Sequence, residues 1–133
     1  MAGVRIDPNN PCLFCHPPRE RLVAENALAY AMADGFPVTP GHTLVIPRRH
    51  VADYFDLSPE EVVACHELTQ EVRRHVLAGQ PEVKAFNVGV NAGVAAGQTV
   101  FHCHFHVIPR REGDVADPRG GVRHVLPYRK PTK

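Results

Sequence analysis

The apolar positions of this chain change their spacing several times, and each change marks an element. Residues 21–24 and 28–33 read as short strands separated by the turn-prone pair Glu25-Asn26, with the alanines leaving helix open in the second. Gly35 and then Pro37-Val38-Thr39-Pro40-Gly41 enforce a loop. It delivers His42 to the start of Thr43-Leu44-Val45-Ile46, an apolar strand ended by Pro47. Ser58-Pro59-Glu60-Glu61 combines an N-cap serine, a proline at the first helical position and a glutamate that completes a capping box. Val62, Cys65, Thr69, Val72 and Val76 keep the spacing of one buried helical stripe until Gly79 and Pro81 stop it. Residues 84–91 alternate as a strand, 92–97 form a small-residue loop, and 101–110 alternate again, which predicts an antiparallel hairpin. Strands interrupted by one long helix predict an α+β fold in which one helix face packs on a sheet.

The last alternation is unusual in content, because its polar places are His102, His104 and His106. A strand through them would set all three imidazoles on one face and send Cys103, Phe105 and Val107 into the core. With a rise of about 3.3 Å per residue, neighbouring rings on that face lie roughly 6.6 Å apart and the outer pair roughly 13 Å. Zinc bonds imidazole nitrogen at about 2.0–2.1 Å, so two neighbouring rings could share an ion by bending toward it, but three in line could not. The rings must divide their work.

Composition narrows the class. A chain of 133 residues with 44% hydrophobic content suits one domain spanning 1–133. No run of about 18 apolar residues appears, and the first residues lack the apolar stretch of a signal peptide, so a soluble cytoplasmic protein with no membrane partner is expected. The net charge of +1 hides an uneven layout: residues 107–133 carry seven Lys/Arg against three Asp/Glu, giving a basic tail from about residue 112. Nothing resembles a nucleic-acid module, and small anions are the better partners for such a segment. Cys65 and Cys103 read as core, whereas Cys12-Leu13-Phe14-Cys15 is a C-x-x-C pair. No helix follows to lower a thiol pKa, so the pair points to metal.

The loop carrying Gly93 and Gly97, followed by Gln98 and Thr99, places backbone N–H groups and polar side chains beside the histidines, as an anion cradle requires. A neutral histidine attacks phosphorus when its other nitrogen donates to a fixed acceptor, because that fixes the tautomer. His104, flanked by two more rings, is best placed to do so, and its neighbours' donors would neutralise phosphate oxygens without a catalytic Mg²⁺. Two other readings stay open: a hydrolase in which His102 and His104 jointly hold a catalytic zinc, and a nucleotide-binding module without catalysis. His66 and His75 fall on the polar side of the predicted helix and carry no assignment.

The run Asp34-Gly35-Phe36-Pro37-Val38-Thr39-Pro40-Gly41-His42-Thr43-Leu44-Val45-Ile46-Pro47-Arg48-Arg49-His50, with Gly97-Gln98-Thr99-Val100 and the alternating histidines, resembles the histidine triad (HIT) family. Members carry His-x-His-x-His followed by two apolar residues, here Val107 and Ile108. The resemblance implies an antiparallel sheet of about five strands with one main helix, and a nucleotide hydrolase or transferase acting at an α-phosphate through a nucleotidyl-histidine intermediate. It implies His104 as nucleophile, His106 as phosphate ligand and His42 as a supporting fourth histidine. Asp34 would bind ribose hydroxyls, Asn91, Gly97, Gln98, Thr99 and Val100 would hold phosphates, and Leu13 and Phe14 would line a base pocket. Gly-Gln-Thr-Val before the triad is similar to the fragile histidine triad branch, which cleaves dinucleoside polyphosphates, whereas an acidic Asp34 is similar to the phosphoramidase branch. The C-x-x-C pair resembles the structural zinc site of many bacterial members, with Cys12, Cys15, His50 and His102 as ligands. A homodimer and no organic cofactor are implied as well.

Overall fold

The computed structural model describes residues 12–127; the leader reading, on residues 1–11, and the last basic residues, 128–133, lie outside it. Five strands, β1 (Leu22–Glu25), β2 (Ala29–Ala33), β3 (Thr43–Pro47), β4 (Ala85–Val90) and β5 (Phe105–Arg110), and one long helix, α1 (Pro59–Gly79), make up the regular structure, with short 3₁₀ turns between them. The strands form one antiparallel sheet in the order β1-β2-β3-β5-β4. The α+β expectation and the hairpin pairing of β4 with β5 both hold.

Period-two alternation sorts the strand residues onto two faces. Ala29, Ala31, Val45 and Val107 face α1 and pack against Ala64, Cys65, Leu68, Val72 and Val76. Tyr30, Met32, Leu44 and Ile46 form a second, smaller core on the opposite face, capped by Phe14 and Leu22. Leu44 pairs with His106, so it is this second face that carries the chemistry.

The helix begins as its sequence dictates. Ser58 accepts from the Glu61 N–H, and Glu61 accepts from the Ser58 N–H, at 3.1 and 2.8 Å. The buried stripe is rotated from the predicted one: it runs Glu61, Ala64, Cys65, Leu68, Val72 and Val76, while Val62 is exposed and Thr69 half-buried. The reason is Arg49, whose guanidinium holds both oxygens of Glu61 at 2.8 Å, so that a charged residue joins the packed face. The same fork anchors the segment that carries His50 to the start of α1.

The histidine segment departs most from expectation. Strand β5 begins at Phe105, so only His106 stands on the sheet, and His102 and His104 precede it. The chain is pulled off the sheet there because the Cys103 N–H donates to the Val51 carbonyl at 2.7 Å, outside any strand ladder. Cys103 and Val107 are buried as predicted and Phe105 packs partly on the helix core, yet His102 is buried as completely as they are.

Gly41 connects the loop to β3 with φ of +93°. A β-carbon there would lie 3.0 Å from Gln80 Nε2 and 3.1 Å from Pro109 Cγ. Backbone strain and crowding act together at this residue, next to His42. Gly41→Ala is therefore expected to cost about 1–3 kcal/mol, measured as a lowered urea midpoint; an unchanged midpoint would contradict this packing.

Candidate active site and metal centre

Two groups of side chains meet on the second face, and a single peptide joins them. The first is Cys12, Cys15, His50 and His102. The two cysteines bracket a 3₁₀ turn (Leu13–Cys15), closed by the Cys15 N–H donating to the Cys12 carbonyl at 3.2 Å. The turn is pinned from below, because the buried Tyr30 hydroxyl donates to the Phe14 carbonyl at 2.6 Å. Burial and the nearby cysteines hold that phenol well above its ordinary range, so it remains a donor.

His102 shows how this group is prepared for a cation. Its Nε2–H donates to the Pro47 carbonyl at 2.7 Å, which leaves the Nδ1 lone pair directed at the other three residues. From Nδ1 the distances are 3.5 Å to each cysteine Sγ and 3.2 Å to His50 Nδ1, and Cys15 Sγ lies 3.1 Å from His50 Nδ1. A tetrahedron with Zn–S of about 2.3 Å and Zn–N of about 2.0–2.1 Å has edges of roughly 3.3 Å between nitrogens, 3.6 Å between sulfur and nitrogen and 3.8 Å between sulfurs. Two thiol sulfurs and two imidazole nitrogens, at separations of 3.1–3.5 Å where they face one another, make a donor set that fits zinc.

The second group is His42, His104 and His106 with Asp34. His104 Nδ1–H donates to the main-chain carbonyl of His102 at 2.8 Å, which places the free lone pair on Nε2. The Phe14 ring meets the His104 ring edge to face at 5.0 Å between centroids and limits its rotation. His42, almost fully buried, accepts the Val38 N–H at Nδ1 over 3.1 Å. Its ring proton is thereby forced onto Nε2, which donates to His106 Nδ1 at 2.9 Å. His106 in turn keeps its proton on Nε2, the nitrogen that can donate to a ligand. Burial holds His42 and His106 below the usual histidine range, with the neighbouring rings acting the same way on His106 and Asp34 opposing in both.

Asp34, His42 and His106 are also close enough to be read as a metal triad. The hydrogen bonds argue otherwise. A metal on His42 Nε2 would need the proton that Val38 has driven there to leave, so the donor arrangement here suits a proton, whereas that of the His102 group could hold a cation.

Several predicted residues stand differently from expectation. The ring that His42 meets is His106, so any support it gives to His104 passes through His106. Asp34 is turned inward: Oδ1 accepts from the Phe36 N–H at 2.7 Å, and Oδ2 lies 3.3 Å from His42 Nε2. Gln98 is no open phosphate ligand. Its amide accepts from the Gly93 N–H at 2.8 Å and donates to the carbonyls of Ala52 and Val100 at 2.8 and 3.0 Å, all inside a buried clasp. It shapes the loop, in which Gly93 and Gly97 both take positive φ, and leaves Thr99 and Asn91 exposed and Val100 half-exposed. Leu13 is exposed beside the half-buried Phe14. The joint His102–His104 zinc is disfavoured, since His104 Nδ1 is bonded to the peptide and the His102 ring faces the cysteines. Sequence reasoning passed over Tyr30 and Arg111. The latter donates to Thr39 Oγ1 and the Pro40 carbonyl and bonds the Gln80 side chain, fixing the loop that presents Val38 to His42. A polar tip within an apolar strand was the only signal for Tyr30.

Comparison with known proteins agrees with this geometry. The HIT domain model matches residues 17–113. An AP-4-A phosphorylase of Mycobacterium tuberculosis is 35% identical over 123 residues, covering 85% of this chain and 63% of its own length. A bis(5'-nucleosyl)-tetraphosphatase (asymmetrical) of Schizosaccharomyces pombe is 39% identical over 90 residues, covering 68% of this chain and 49% of its own. The crystal structure of a Zn-bound histidine triad family protein from Mycobacterium smegmatis superposes with a TM-score of 0.66 at 38% identity, covering 72% of this chain and 69% of that one. The chain belongs to the HIT family.

Purified protein is expected to carry about one zinc per chain, counted by elemental analysis, and Cys12→Ser or Cys15→Ser to lose it; full zinc retention in both variants would refute the ligand set. Acidification should destabilise the chelator-treated fold. Burial lowers the affinity of His42, His102 and His106 for protons below the ordinary value of 6.5, so the unfolded chain binds them first and stability falls as pH drops below that value. Thermal melts from neutral to mildly acid pH check the sign.

Proposed function

We propose that this chain is a nucleotidyl hydrolase or transferase that cleaves at the α-phosphate of dinucleoside polyphosphates through a nucleotidyl intermediate on His104. One observation carries the reading: the His102 carbonyl accepts a hydrogen bond from His104 Nδ1–H, which leaves the Nε2 lone pair for attack. In the first step Nε2 attacks the α-phosphorus. A P–N bond forms, the P–O bond to the leaving phosphate chain breaks, and the electron pair departs with that oxygen. In the second step water, or another hydroxyl acceptor, attacks phosphorus: a P–O bond forms, the P–N bond breaks with its pair returning to Nε2, and the proton of the attacking hydroxyl is lost to solvent.

The remaining residues act on the phosphate oxygens. His106 Nε2–H, whose direction is set by His42, donates to a non-bridging oxygen as negative charge builds there. The N–H groups of Gly93, Ala96, Gly97 and Gln98 are taken up inside the loop, so the exposed Thr99 is its candidate phosphate donor, with the exposed Asn91 after β4 as a second. No step of this chemistry requires a divalent cation at phosphorus. Leu13 and Phe14, carried by the cysteine turn, supply apolar surface for a base. Zinc, when bound by Cys12, Cys15, His50 and His102, supplies a cross-link that fastens this turn to the peptide holding His104.

The relatives named for AP-4-A and bis(5'-nucleosyl)-tetraphosphate support this substrate class. A second reading, hydrolysis of the P–N bond of adenosine phosphoramidates, is favoured by the acidic residue at Asp34. Diadenosine tri- and tetraphosphate and adenosine phosphoramidate, compared on purified protein, separate the two by kcat/KM. His104→Ala should lower kcat by about 10³-fold or more while the melting curve stays that of a folded protein. A variant with undiminished turnover would overturn the nucleophile assignment, and absence of multiple turnover on every substrate would leave a binding module.

A further inference from the structure

In their neutral state His42 and His106 share one proton across 2.9 Å. The Val38 N–H occupies His42 Nδ1, so His42 must present a hydrogen at Nε2, and the contact is satisfied only while His106 Nδ1 is bare. A second proton on His106 would set two N–H groups against each other with no acceptor between them. The carboxylate of Asp34 stands at hydrogen-bond distance from one ring and at ion-pair distance from the other. Its Oδ2 lies 3.3 Å from His42 Nε2 and 3.9 Å from His106 Nδ1. It is also held in place: the Asp34 N–H donates to the His42 carbonyl at 3.0 Å, Oδ1 takes the Phe36 N–H at 2.7 Å, and the side chain is only 14% exposed.

We propose that Asp34 is a positioning residue that allows His106 to become a cation against the substrate's phosphates, by accepting the N–H of both rings once His106 has bound a second proton from solvent. One proton is added and no bond between heavy atoms changes; the new positive charge lies beside an existing carboxylate, and the two groups, 3.9 Å apart in the resting chain, draw together. The groups that face His106 divide over this state. Burial, His104 from the segment before β5 and His42 from the head of β3 oppose a positive ring, while Asp34 from the loop after β2 favours it. The resting ring is accordingly neutral, and a phosphate arriving at Nε2 adds the negative charge that tips the balance. The inference rests on the nucleotide reading for the identity of that anion, but the proton-accepting arrangement belongs to the ligand-free chain.

The test is ¹⁵N NMR of the histidine rings across about pH 5 to 8, in wild type and Asp34→Asn, with and without adenosine monophosphate. In wild type at neutral pH, saturating adenosine monophosphate should place protons on both nitrogens of His106. Asp34→Asn should lower the ring's proton affinity about tenfold or more and abolish that uptake. Turnover should show the same change, with kcat falling about tenfold, its alkaline limb moving to lower pH and KM staying within about threefold. Superimposable titrations of the two proteins would overturn the proposal. A raised KM for ribonucleotides with an unchanged titration would make Asp34 a ribose ligand instead. The wild-type measurement needs no variant, and failure to see the second proton there is sufficient to reject the idea. Should no nucleotide be turned over at all, the proposed function fails separately, and the titration is read with inorganic phosphate as probe.

Discussion

The site depends on the peptide carbonyl of His102. It accepts the Nδ1–H of the His104 ring at 2.8 Å, while the imidazole of the same residue turns the other way into the cysteine group. The cysteine–histidine cluster and the His104 ring are therefore joined through one residue, whose side chain faces the cysteines and whose main chain orients His104. The segment that makes this possible has left the sheet. Had residues 101–104 continued β5, the carbonyl would have been spent in a strand ladder and could not have served a side chain.

Around this peptide the fold works as a frame. Arg49 and Glu61 tie the His50 segment to the helix, Tyr30 fastens the cysteine turn to β2, and Arg111 braces the loop that carries Val38. Each fixes a piece of irregular backbone that presents a hydrogen-bonding group to a histidine or a side chain to the cysteine–histidine cluster. Gln98 does the same inside the loop before the histidines.

Much of this was legible from residue order, and the limits are physical. The apolar run of β3, the alternation of β4 and the capping signals at Ser58-Pro59 are local patterns that produced the elements expected of them, and the C-x-x-C pair lies in a group of two cysteines and two histidines. The histidine alternation was local too, but it misled: His102 and His104 obey a tertiary hydrogen bond from Cys103 to Val51, which no spacing rule contains. The helix stripe slipped toward Glu61 for a similar reason, since a carboxylate reads as solvated until its guanidinium partner is seen. Gln98 looked like a ligand because amides often bind phosphate, and only its three partners showed that the amide was already engaged.

All three histidines whose tautomers matter most obtain them from backbone atoms: His102 from the Pro47 carbonyl, His104 from the His102 carbonyl, His42 from the Val38 amide. Main-chain groups are common to every amino acid that could occupy those positions, apart from proline at an amide. The proton arrangement of the centre is thus insulated from side-chain drift at Pro47 and Val38. What a substitution at Pro47 or Val38 can alter is the shape of the loop and not the chemical identity of the partner, so in this chain the walls of the site and the placement of its ring protons are separable features.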